Sequence, residues 1–184
     1  MTASVQAARG TTGFLGWLNT RGHKAAMVIF GLIVVGHWAE HVAQAWQVWV
    51  LQWPRPKSGG LLGLAYPWLV SSEWLHYGYA VVMLAGLLLL RPAIGGRARK
   101  WWSAALWIQV WHHFEHLLLL VQALTGSYLL GRAVPTSVVQ LIFPRIELHL
   151  FYNALVTIPM VVAMVLHLRP RPEERDFLRC SCAH

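Results

Sequence analysis

Apolar residues dominate four long runs of this chain, and the polar residues inside them recur at helical rather than alternating spacing. The first run extends from about residue 25 to 50, enough for a helix to cross a hydrocarbon core about 30 Å thick. W-P-R-P-K-S-G-G then ends it, because Pro54 and Pro56 cannot continue a helix and the glycines loosen the chain. Further spans are predicted at about 71–90, 101–124 and 146–168, the last tolerating Pro159. Two connections, 61–70 and 125–144, are apolar for loops, and the first is predicted to lie along the interface or fold over the bundle mouth. T-G-F-L-G-W-L reads as a short interfacial helix, and no cleaved signal peptide is expected, since the following apolar run is too long. The expected organisation is an N-terminal segment 1–24, a four-helix transmembrane bundle 25–168 and a tail 169–184.

The polar residues of the first run come back once. H-W-A-E-H-V-A-Q-A-W-Q, from His37 to Gln47, aligns with H-H-F-E-H-L-L-L-L-V-Q, from His112 to Gln122, at an offset of 75. His76 and Tyr79 align more faintly with His149 and Tyr152, at an offset of 73. The expected fold is therefore all-α: an integral membrane four-helix bundle of two similar helical hairpins, 25–91 and 101–168. Both hairpins run the same way, so a pseudo-two-fold axis would lie along the membrane normal.

Composition agrees with a membrane location, with 57% hydrophobic and only 12% charged residues. The net charge of +8 would suggest nucleic acid in a soluble chain, but no nucleic-acid motif is present and the basic residues gather at the ends of apolar runs. Lys and Arg number 3 before the first span, 4 between the second and third and 4 in the tail, against 2 in each remaining loop. The positive-inside rule then places both termini in the cytoplasm. A multi-pass protein of a bacterial cytoplasmic membrane is expected. Two cysteines imply no disulfide framework, although Cys180, Cys182 and His184 include soft-metal donors in what reads as an incidental tail.

Four of the seven acidic residues, Glu40, Glu73, Glu115 and Glu147, each lie within three residues of a histidine, one in each predicted span. Ionisable groups at membrane depth cost about 2.5–3.5 kcal/mol, so they carry partners or functions. On a helix His37, Glu40, His41 and Gln44 share an arc of about 100°, as do His112, Glu115 and His116. Glu73 and His76 have the Glu-x-x-His spacing of dinuclear carboxylate sites in helical bundles. The predicted ligand set is His37, Glu40, His41, Glu73, His76, His112, Glu115, His116, Glu147 and His149. Gln44, Gln47, Gln109, Gln122 and His113 are expected around it, with Tyr79 and Tyr152 as catalytic proton or electron donors and Trp38 and Trp111 as walls.

Imidazole with carboxylate suits two metal ions, iron first, with zinc or manganese as alternatives. The ligand type is similar to that of membrane fatty-acid desaturases and hydroxylases. Those families carry H-x3-H and H-x2-HH boxes at the cytoplasmic face, whereas the histidines here lie near the outer face with glutamates added, and the chain is not assigned to them. The leading expectation is a metal-dependent oxidoreductase acting on a lipid or other apolar substrate, with a redox partner protein, and with oligomerisation open. A zinc hydrolase using Glu40 or Glu115 as base is the alternative enzyme class. Outside enzymes, the readings are a haem b and quinone electron carrier, a proton or metal-ion transporter, and an assembly subunit whose polar residues are interhelical glue.

Overall fold

Backbone amides in an apolar run must satisfy one another, and a helix does this within the run itself. The computed structural model describes residues 13–175, 178, 180 and 182 and is all-helical, with 77% helix and no strand among the described residues. Its α-helices are α1 (Phe14–Leu18), α2 (His23–Trp49), α3 (Gly60–Ala65), α4 (Pro67–Val70), α5 (Glu73–Leu90), α6 (Ala98–Thr125), α7 (Arg145–Leu168) and α8 (Pro172–Arg175). Local signals set several of these ends. The Ser72 hydroxyl accepts the Trp74 N–H at 3.3 Å and caps α5. Gly126, at φ +67°, closes α6 in a left-handed cap, and Pro144 precedes α7.

Three stretches, His23–Trp49, Glu73–Ala93 and Arg145–Leu168, are long and apolar enough to cross a membrane. Four were expected. The remaining long helix, α6, has the length at 28 residues but carries Arg99, Lys100, Gln109, two adjacent histidines and Glu115, which dilute its apolarity.

The four long helices pack in a ring, α2 on α5, α5 on α6, α6 on α7 and α7 back on α2. Trp102, Leu87, Met83, Phe30 and Met160 fill the interior of one half. Trp102 satisfies its buried indole by donating Nε1–H to the Leu87 carbonyl at 2.7 Å. Val28, Ile29, Leu32 and Val35 on α2, and Ile158, Val161 and Val165 on α7, point outward. That apolar exterior is what a helix presents to lipid.

The short α1 exposes Phe14, Leu15 and Trp17. Asn19 just after it holds the end of α5, donating Nδ2–H to the Leu89 carbonyl at 2.9 Å and accepting the Ala93 N–H at 3.1 Å. At the other end of the bundle, α3 and α4 form the first apolar connection, and two 3-10 turns, Leu129–Gly131 and Val139–Leu141, form the third.

Candidate metal centre

Six histidines from all four long helices meet near the latter end: His37 and His41 from α2, His76 from α5, His112 and His116 from α6, and His149 from α7. Their rings form a continuous network, with centroids 4.4 Å apart for His37–His41, 4.5 Å for His112–His116 and 5.2 Å for His41–His149. His116–His149, His76–His149 and His76–His116 follow at 5.3, 5.8 and 6.1 Å. The two i,i+4 pairs turn the same atoms together. His37 and His41 bring their Nε2 atoms to 3.0 Å, and His112 and His116 theirs to 3.2 Å. Two imidazoles bound side by side to one ion, with metal–nitrogen bonds of about 2.0–2.1 Å, hold their nitrogens about 3 Å apart.

The main chain fixes the tautomer of two further rings. His76 donates Nδ1–H to the Ser72 carbonyl at 3.1 Å, and His149 donates Nδ1–H to the Arg145 carbonyl at 2.7 Å. A carbonyl only accepts, so both rings carry the proton on Nδ1 and a lone pair on Nε2. Among the described residues His149 Nε2 is buried with no hydrogen-bond partner, and the Nδ1 atoms of His112 and His116 are likewise unpartnered. His41 Nδ1 lies 2.8 Å from Gln44 Oε1, the oxygen-to-ring contact that orients a ligating imidazole.

The carboxylates are engaged elsewhere. Glu40 Oε1 accepts the Leu62 N–H at 2.6 Å, and Glu115 Oε1 accepts the Val139 N–H at 3.2 Å. Each therefore fastens the apolar connection of its own half. Gln47 and Gln122 do the same from about two turns further along, so they bond main chain rather than imidazole. Gln47 donates to the Gly60 carbonyl and accepts the Gly60 N–H, at 3.1 and 2.8 Å. Gln122 donates to the Thr136 carbonyl at 2.9 Å and accepts the Leu129 and Thr136 N–H groups at 2.8 and 3.3 Å. Gly60 can be nothing else: its φ is +77°, and a Cβ there would lie 2.3 Å from Glu40 Oε1.

Glu73 and Glu147 are bound by arginines. Both oxygens of Glu73 accept from Arg145, at 2.6 and 2.7 Å, which ties the start of α5 to the start of α7. Glu147 pairs with Arg55 of the first connection at 2.8 Å. Among the described residues no hydrogen bond joins a glutamate to an imidazole. Gln109 also departs from its expected place, donating to the Ala80 carbonyl at 3.2 Å and so linking α6 to α5.

Tyr79 stacks on His37 at 3.5 Å between centroids, and Tyr152 lies against His112 at 4.5 Å. The tyrosines thus repeat each other's position, but their hydroxyls differ. Among the described residues Tyr79 Oη is buried without a partner, while Tyr152 Oη accepts from Trp111 Nε1 at 2.8 Å. Trp38 donates to Thr157 Oγ1 at 2.9 Å and helps join α2 to α7. His113 packs against Tyr77, outside the six-ring network.

Two cavities meet the histidines on the α2–α5 side. One, about 390 Å³, is walled mainly by apolar groups, including Ile33, Leu62, Leu75 and Tyr79, and reaches His37, His41 and His76; Glu40 also borders it. The other, about 470 Å³, has a mixed lining that brings Arg55, Lys57 and Arg145 together with His41, His76 and His149. The corresponding space beside His112 and His116 is about 10 Å³. The repeat therefore holds for the side chains but not for access, which lies between α2 and α5.

A second group of ligand-type side chains lies at the opposite end of the helices. His23, His167 and Cys182 place donor atoms within 4.8 Å of one another. His184, grouped with the cysteines in the sequence, lies outside the described residues.

No protein-family model matches the chain, and no curated protein or solved structure matches it either.

Proposed function

We propose that the chain is a multi-pass membrane metalloenzyme. On this reading α6 crosses the membrane with the other three long helices, and both termini face the cytoplasm. His37, His41, His76, His112, His116 and His149 hold two redox-active metal ions and act on a lipid or other apolar substrate. The observation that carries this reading is the convergence of six imidazoles from four helices, with Nε2 atoms paired at 3.0 and 3.2 Å. Single histidines in membrane helices serve as glue, but glue does not need buried nitrogens left without partners. The four glutamates, expected as ligands, instead support the site by holding connections and helix ends. The donor set that remains is all imidazole, which suits iron and copper as well as zinc.

When bound, such ions supply one-electron and oxygen chemistry. The chain's own residues do the rest. The apolar crevice between α2 and α5 receives the hydrocarbon part of a substrate from the bilayer and keeps water from it. Arg55, Lys57 and Arg145 accommodate a polar or anionic end. Tyr79, stacked on His37 with a free hydroxyl, donates the proton or electron. Glu40 and Glu115 already accept backbone N–H groups, which weakens the hydrolytic reading in which one of them is a base. A haem reading accounts for two of six imidazoles.

The test is metal analysis with a visible spectrum on detergent-purified protein, beside His41→Ala and His116→Ala. About two equivalents of iron or copper without a Soret band, lost in both variants, is the expected result. Zinc in its place, lost likewise in both variants, would redirect the reading to hydrolysis, and a Soret band to haem. Folded variants and a wild type that all lack metal would leave the histidines as interhelical glue.

A further inference from the structure

The structure assigns a second metal centre, independent of the six-histidine cluster. We propose that His23, His167, Cys180 and Cys182 form a zinc site of two imidazoles and two thiolates that fastens the C-terminal tail to α2 and α7. His23 opens α2 and His167 lies in the last turn of α7. His23 is 14 residues from His37 along one helix, about 21 Å from the first site at about 1.5 Å per residue.

His167 and the two cysteines are already in contact, and His23 stands beside them. His167 Nε2 lies 3.1 Å from Cys182 Sγ and 3.2 Å from Cys180 Sγ, and Cys182 donates S–H to Cys180 Sγ at 2.9 Å. The His23 ring meets the His167 ring edge-on at 5.2 Å. A tetrahedral zinc ion, with bonds of about 2.3 Å to sulfur and about 2.0–2.1 Å to nitrogen, spreads such donors to about 3.5–3.8 Å. His167, Cys180 and Cys182 need to spread by less than about 1 Å. His23, His167 and Cys182 already lie within 4.8 Å of one another, and Cys180 closes on His23 when the ion binds.

Burial supplies the independent argument. His23 has no exposed surface, and among the described residues neither of its ring nitrogens has a hydrogen-bond partner. His167 is 1% exposed, and its Nδ1 has no partner among the described residues. Polar rings sealed from water without partners are costly, and a cation answers that cost while helix packing does not. Cys180 is equally sealed, at 1% exposure. Two sulfurs with two nitrogens suit zinc.

The tail has other holds on the same end. Glu174 accepts from the Arg97 main chain and guanidinium, and Leu178 is buried. A four-ligand centre that leaves no open position is structural rather than catalytic. On the proposed orientation it faces the reducing cytoplasm, where both thiols stay available.

The experiment loads the detergent-purified full chain with Co²⁺ and records its near-ultraviolet and visible spectrum. Thiolate-to-cobalt charge transfer, displaced by Zn²⁺, is the expected signal, and the six-histidine cluster has no sulfur to produce it. The signal should vanish in Cys180→Ser/Cys182→Ser and persist in His41→Ala. Iodoacetamide labelling, read by mass spectrometry, needs no variant: both cysteines should be protected with Zn²⁺ and labelled at least tenfold faster after chelation. Absence of the charge-transfer band with chelator-independent labelling would overturn the proposal, as would a Cys180–Cys182 disulfide recovered from protein kept in reductant.

Discussion

Gln47 and Gln122, 75 positions apart, perform the same act: each clasps a connection by its main chain, Gln47 at Gly60 and Gln122 at Thr136. Glu40 and Glu115 repeat the pattern at Leu62 and Val139. The internal repeat therefore encodes two functions at once. Its histidines turn inward, and its glutamate and glutamine hold the cover over them.

Replacing Gln47 or Gln122 with Leu should strand backbone groups that are now paired. Each change should cost about 1–3 kcal/mol. Thermal unfolding in detergent measures the loss, and amide exchange should accelerate at Gly60 or Thr136 while metal content stays near wild type.

Glu40→Gln separates a connection anchor from a metal ligand. Gln keeps an oxygen for the Leu62 N–H, so the variant should unfold within about 1 kcal/mol of wild type and retain its metal. Glu40→Ala should lose stability. Metal loss in Glu40→Gln would return the carboxylate to the ligand set.

The Glu73–Arg145 pair should behave as a unit. Its carboxylate is 8% exposed and its guanidinium 36%, so Arg145→Met should cost about 3 kcal/mol, the low end for a buried pair losing one member. Glu73→Gln with Arg145→Met should recover a large part of that loss, which a double-mutant cycle on unfolding midpoints would show.

Gly96 and Glu174 predict how the tail responds to acid. Gly96 has φ +54°, and a Cβ there would lie 2.3 Å from Glu174 Oε1, so Gly96→Ala should release the tail. The Glu174 carboxyl is depressed from 4.5 to about 2, first by the Arg171 and Arg97 backbone N–H groups and then by the Arg97 side chain. A depressed carboxyl stabilises fully above its ordinary range and ceases to do so as pH falls through its folded value. Limited proteolysis should therefore find this hold intact at pH 5 and lost towards about 2. Tail release nearer pH 5 would report protonation of the proposed zinc ligands instead.

Much of the framework was legible in the chain itself. Apolar runs without breakers dictate helices, because backbone groups in an apolar setting have no other partners. The i,i+4 spacing dictates that His37 and His41, and His112 and His116, share a face. The repeat at 75 favours His112 over His113, since only the former register matches His37, and His112 packs on His116 while His113 packs on Tyr77.

Partner choice was decided by the tertiary structure. Arg145 and Glu147 are neighbours in sequence, but two residues on a helix point about 200° apart. Arg145 therefore meets Glu73, 72 positions away, and Glu147 meets Arg55, 92 positions away. Glu40 and Glu115 have the right helical phase for the site, yet the connections packed over them bring backbone N–H groups closer than any imidazole. His23 and Cys182 are 159 residues apart and fit no local motif. Helical phase is a property of neighbouring residues and can be counted along the chain. Which oxygen a given N–H reaches depends on how distant segments pack, and no count along the chain contains it.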